Sequence, residues 1–216
     1  MSSQVVTPLS TIEHMASAKN SPLKGKSFLE DVVLYASQIK KFDREDWMVF
    51  IAWIGLMSGL VFSVFGFLLV GYMNGVQYPR YVWNVPLGTA IFVVAITFDT
   101  IGHRSTYKKV LAKGEALVHH ITIFAGISAV VLLCAAYQER DFFMIPAVCM
   151  LVLSVMYSFI DELLHWHRYM TLNSDRVEMW AHFGIFVGHS IQMFAWWYWF
   201  NQGYPGVKET LVFFGI

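Results

Sequence analysis

Long apolar runs separated by short polar breaks set the pattern of this chain. They cover about residues Trp47–Met73, Val82–His103, Gly114–Tyr137, Phe142–Met170 and Arg176–Phe200. A hydrocarbon core of about 30 Å is crossed by roughly 20 residues of helix. Each run reaches that length, so the pattern predicts an all-α integral membrane protein with five transmembrane helices. Pro86 falls near the start of the second run, where proline is tolerated. In the first run Gly55 and Gly59 are four apart, with Gly66 beyond them, a spacing that predicts close packing on a neighbouring helix. The fourth run exceeds what a bilayer requires, so its end should project from the membrane.

The polar stretches complete the outline. Residues 1–26 are rich in Ser, Thr, Lys and Pro and read as a flexible cytoplasmic tail without the apolar core of a signal peptide. His14 lies there, outside any pattern. Residues 27–42 read as an amphipathic helix opened by a Ser27/Glu30 capping box. Its apolar face is Leu29, Val32, Val33, Ala36 and Ile39. That face suits the headgroup region or the cytoplasmic ends of the bundle. Residues 43–216 form the five-helix transmembrane domain. Asn173 and Ser174 are candidate caps of the fifth span. Trp196, Trp197, Tyr198 and Trp199 form an interfacial belt at its end, and a short tail follows.

Composition agrees with this outline. Of 216 residues, 56% are hydrophobic and 14% charged, against roughly 25% charged in an average soluble domain. With five spans, twelve Lys and Arg fall on the side of the N-terminus and three (Arg80, Arg140, Lys208) on the other. The positive-inside rule then places the N-terminus in the cytoplasm and the C-terminus across the membrane. These basic residues are accounted for by topology, so no nucleic-acid partner is expected. Cys134 and Cys149 both lie in apolar runs and are expected as buried small hydrophobes rather than a disulfide.

The candidate chemistry lies in a repeated pair, an acid followed four residues later by a histidine. It occurs at Asp99/His103, Glu115/His119, Asp161/His165 and Glu178/His182. Residues four apart share a helix face, so each pair aims a carboxylate and an imidazole at one point. The second and fourth spans carry their pairs at their ends, and the third and fifth at their starts. All four pairs therefore come to one depth, near the cytoplasmic interface. Ionisable residues within spans cost about 2.5–3.5 kcal/mol each on insertion scales, and a divalent cation offsets that cost by direct ligation. The ligand set exceeds the needs of one tetrahedral zinc. It suits two divalent transition metals in a four-helix bundle formed by helices 2–5, as in di-iron and di-manganese carboxylate proteins. Glu162/His165 matches the Glu-x-x-His element of those sites. His120, His167 and His189 are further candidates as ligands or as supporting donors. Iron is the expected metal, with zinc, copper and manganese as alternatives.

The histidine boxes of membrane desaturases are absent. The order of Asp99, His103 and His119 is similar to the copper site in the membrane C subunit of particulate methane and ammonia monooxygenases, a resemblance that covers those three positions. The expected function is O2-dependent oxidation of a lipid-like or hydrocarbon substrate at a dinuclear non-haem centre. An external electron donor is implied, because the chain has no flavin motif or cysteine cluster. The alternatives are a zinc-dependent membrane lipid hydrolase and a metal- or haem-binding subunit of a larger membrane complex. Partners are otherwise the bilayer itself and a larger complex or a homo-oligomer.

Overall fold

The computed structural model describes residues 27–106, 113–172 and 175–216, and of residues 113–116 and 172 only the backbone. The N-terminal tail with His14, the centre of the basic loop after the second span, and Asn173 and Ser174 lie outside the described residues. Every regular element among the described residues is helical. Besides short 3-10 turns, the α-helices in chain order are α1 (Phe28–Ala36), α2 (Arg44–Met73), α3 (Asn84–Ser105), α4 (Lys113–Ala135), α5 (Arg140–Leu172), α6 (Arg176–Asn201) and α7 (Val207–Leu211). Four stretches are long and apolar enough to cross a membrane: Arg44–Met73, Arg80–Ser105, Leu117–Ala135 and Arg140–Thr171.

Local sequence accounts for the helix starts. Ser27 Oγ accepts from the Glu30 amide at 3.2 Å. At α2, Asp43 and Asp46 form a reciprocal capping box, which satisfies amides that the first turn leaves open. The cap of α6 is Asp175, whose carboxylate accepts from the Val177 amide at 3.0 Å.

Helix α6 is as long as a span but is not among the four apolar stretches. Its interior carries His182, His189, Ser190 and Gln192, and His182, His189 and Gln192 are buried by neighbouring helices. Hydropathy reads a helix as though lipid surrounded it, whereas α6 is largely surrounded by protein. Its closest partner is α3. A Cβ added to Gly88 would stand 2.5 Å from the Gln192 amide nitrogen, and one added to Gly188 would stand 2.6 Å from that of Phe92. The two backbones touch at this crossing, which small residues permit. The expectation of close packing at Gly55, Gly59 and Gly66 fails: a Cβ at any of them would meet open space. Helix α2 stands at the edge of the molecule, so those glycines have no neighbour to approach.

The polar cluster occupies one end of the bundle and the main apolar core the other. Leu68, Val85, Leu133, Met193, Trp196 and Phe200 are buried together there. Arg140 Nη1 donates to the Phe200 carbonyl at 2.8 Å, and the Tyr204 hydroxyl to that of Leu133 at 2.5 Å. The expected C-terminal tail is instead ordered structure. Gly206 turns the chain at φ 88° into α7, and buried Thr210 bonds the Tyr78 hydroxyl. At the cluster end, α1 turns Asp31 and Tyr35 inward, the 3-10 turn that follows it buries Gln38, and Tyr35 packs with Ile101 and Val177. The apolar face read from the sequence is only partly covered: Val32 and Ile39 pack half-buried against this apolar cluster, whereas Leu29 and Val33 are 75% and 68% exposed. Asp31 draws the helix round by pairing with Arg176 at the start of α6.

The outer surface is apolar over much of the molecule, with Ile51, Phe62, Val94, Phe124, Val131 and Phe142 all more than half exposed. Soluble monomers rarely expose apolar patches beyond a few hundred Å². Cys134 and Cys149 are free and lie on this surface rather than buried.

Candidate metal centre

Each helix contributes to the cluster from a turn near one end. On α3, Asp99 and His103 share a face, with Asp99 Oδ1 3.1 Å from His103 Nε2. Helix α6 brings His182 to the same oxygen, with Nε2 at 2.7 Å. On α5, Asp161 faces three histidines from three helices. Its Oδ2 is 3.1 Å from His119 Nδ1 and 3.8 Å from His182 Nδ1, and its Oδ1 is 3.8 Å from His165 Nε2. The His165 and His182 rings stack with centroids 3.2 Å apart. The His103 and His119 rings lie 5.5 Å apart, and each is 6.1 Å from His182. Six of the residues read from the sequence thus converge from α3, α4, α5 and α6.

Two subsets bring their ligand atoms within 4.8 Å of one another: Asp99, His103 and His182, and Asp161, His165 and His182. These buried groups could hold a metal ion. His182 belongs to both subsets, one nitrogen facing each aspartate. A neutral imidazole has a single free lone pair, so His182 serves one ion, or bridges two as an imidazolate.

The donor set fits a cation on two counts. Asp99 Oδ1 and His182 Nε2 are 2.7 Å apart, yet neither completes a hydrogen bond of good geometry. Buried polar atoms are normally paired, and an exception calls for a partner such as an ion. The charge is also unbalanced. Asp99, Asp161, Glu162 and Glu178 are all buried, and Arg168 is the guanidinium among them. Buried charge is costly unless compensated, and bound cations or protonated imidazoles would offset the excess.

The remaining predicted residues divide. Glu178 is 2% exposed, but it pairs with Arg168 and lies 3.6 Å from His165 Nδ1. Glu162 is buried on α5 and belongs to neither convergent subset. The Glu115 side chain lies outside the described residues. His120 and His167 are exposed. His189 is buried deeper in the bundle, with Nε2 3.2 Å from Ser154 Oγ. Arg168 is the residue that sequence reasoning missed. It sits at 2.8 Å from His165 Nδ1 while holding Glu178. Its place one turn after His165 was the available signal, although as a basic residue near a helix end it counted only toward topology.

From the cluster a cavity of about 220 Å³ runs into the bundle. Asp99, His119 and Asp161 form its polar end, and Met57, Phe92, Ile96 and Ile123 are among its apolar walls. Leu56, Ile127 and Val131 line it and are 57%, 40% and 60% exposed. Its mouth therefore opens on the apolar outer surface between α2 and α4.

Comparison with protein-family models, curated proteins and solved structures finds no match for this chain.

Proposed function

We propose that this is a five-span membrane oxidoreductase that oxidises a lipid-like or hydrocarbon substrate at a dinuclear non-haem metal centre, with iron as the metal. Helix α6 is the fifth span, and the N-terminus lies in the cytoplasm. The observation that carries the reading is the junction of two environments: a buried acid/histidine cluster opens directly into an apolar cavity whose mouth faces the lipid side.

In this reading Asp99, His103, His119, Asp161, His165 and His182 would hold the metals, with His182 shared by the two convergent subsets. Arg168 orients His165 and Glu178. A hydrolytic site needs water delivered to it, whereas the walls of this cavity favour a hydrocarbon chain over water. Bound iron supplies the O2 chemistry. One oxygen atom enters a substrate C–H bond to give an alcohol, and the other leaves as water with two electrons and two protons. An external redox protein supplies the electrons from the cytoplasmic side.

Elemental analysis and optical spectroscopy of detergent-purified protein test this reading. The expected result is close to two iron ions per chain without a haem Soret band. One zinc per chain would replace the reading with a hydrolase, and no metal in protein prepared without chelators would remove the centre altogether.

A further inference from the structure

The inner end of the cavity carries polar groups that the metal cluster does not use. His189 and Gln192, on consecutive turns of α6, both line it. They are 6% and 3% exposed. Ser154 Oγ donates to the Leu151 carbonyl at 2.9 Å, so it accepts at 3.2 Å from His189 Nε2. That chain of bonds assigns the His189 proton to Nε2 and leaves Nδ1 as an acceptor. No hydrogen bond to His189 Nδ1 or to the Gln192 amide is found among the described residues, and both groups face the cavity rather than being sealed from it. Leaving a polar group of a buried side chain unsatisfied costs about 1–3 kcal/mol, so a pair of them among mainly apolar walls, with Thr122 and Ser158 the other polar lining away from the cluster, points to something bound there.

We propose that His189 and Gln192 form a binding site for the hydroxyl group of an uncharged, mostly hydrocarbon ligand: an alcohol whose apolar body fills the cavity toward the acid/histidine cluster. A hydroxyl matches both partners at once, donating to His189 Nδ1 and accepting from the Gln192 amide. A carboxylate does not match, because the site offers no cation and would bury a bare charge. A simple alkane leaves both groups unsatisfied. Gly126 makes room at this point, since a Cβ there would stand 3.4 Å from His189 Cε1. His189 is seven residues beyond His182, so the hydroxyl site lies about 10 Å along the helix from the cluster at a 1.5 Å rise per residue. The site therefore acts as a ruler that decides which carbon of the chain faces the metals. This deepens the oxidase reading and rests on it for the identity of the reaction, but not for the binding itself.

Trp53 also lines the cavity and supplies the readout. A medium-chain ω-bromo alcohol and the bromoalkane of the same length are titrated into detergent-solubilised full-length protein. Trp53 quenching is isolated by comparison with Trp53→Phe, and metal content is measured on every sample. The expected result is saturable quenching by the bromo alcohol at concentrations several-fold below those the bromoalkane needs. Gln192→Met should weaken the alcohol about two- to tenfold, the equivalent of one hydrogen bond of about 0.5–1.5 kcal/mol. The same variant should leave bromoalkane quenching and metal content unchanged, and His189→Leu should behave likewise. Equal behaviour of alcohol and alkane in the unsubstituted protein would overturn the proposal and assign these groups to water alone. Equal loss of both ligands in Gln192→Met would overturn it too, as a change of cavity shape. Specific alcohol binding by protein that holds no metal would retain the hydroxyl site and discard the oxidase, so the two readings fail separately.

Discussion

His182 lies between Asp99 and Asp161, and both convergent subsets depend on it. His182→Ala should therefore remove most of the bound metal, whereas His167→Ala, at an exposed position, should leave it in place. Elemental analysis of the two purified variants decides this, and equal retention would show that the cluster is not a metal centre. Arg168 acts through its neighbours. Arg168→Gln removes the cation between His165 and Glu178, and groups that orient ligands are typically worth 10–100-fold in metal affinity. A chelator competition series should show a loss of that size, with partial rescue in Arg168→Lys. Asp175 gives a separate prediction. Burial pushes its carboxyl up from 3.8 to about 6, with the neighbouring Glu178 and Asp31 adding to the shift, against the Val177 amide and Arg176. A raised carboxyl favours folding in its protonated form. Its contribution is complete below about pH 4 and fades as the pH rises through about 6. Asp175→Asn keeps a capping oxygen without the charge. Thermal unfolding should then show the variant gaining on the parent protein between pH 4 and 7, and a constant difference would refute the assignment.

At the scale of elements, the contact of α3 with α6 sets the site. Gly88 and Gly188 let the two backbones meet, and this contact brings Asp99 and His182 together. The atoms a new Cβ would strike are backbone atoms, which cannot rotate aside. Overpacking of this kind costs roughly 1–3 kcal/mol. Gly188→Ala should lower the unfolding temperature in detergent and weaken metal binding together, while Gly59→Ala on open α2 should do neither. The Asp99/His103 and Asp161/His165 pairs were legible in the sequence because both members of each lie on one helix, where the helical period alone puts them on a common face. Which glycines are crossings was not legible, since Gly55 and Gly59 on one helix and Gly184 and Gly188 on another share a spacing. Only the neighbour distinguishes them. The same limit hid Arg168 and the cavity, both of which depend on how helices are rotated against one another. It also blurred the facing of α1, where the distant partner Arg176 draws Asp31 inward beside Val32 and leaves Leu29 and Val33 outside.

For the molecule as a whole, the question is which end of the bundle faces the cytoplasm and whether α6 crosses the membrane. Three observations bear on the same end. The acid/histidine cluster, the α1 helix and most of the described basic residues lie together, and Arg104 beside Asp46 and Glu45 (3.5 and 3.6 Å) joins α3 to the start of α2 there. Arg168 leaves the topological count, because it is drawn into the cluster, but the asymmetry survives its removal. If α6 spans, as its burial among the other helices and its terminal tryptophans argue, an odd number of crossings puts the two ends of the chain on opposite sides. A reporter that works only outside the cytoplasm should then be silent when fused before Ser27 and active when fused after Ile216. Activity at neither terminus would mean that α6 does not cross, which would leave four spans and return α7 to the cytoplasmic side. Activity at the N-terminus alone would invert the molecule, placing the cluster on the outer side and excluding a cytoplasmic electron donor.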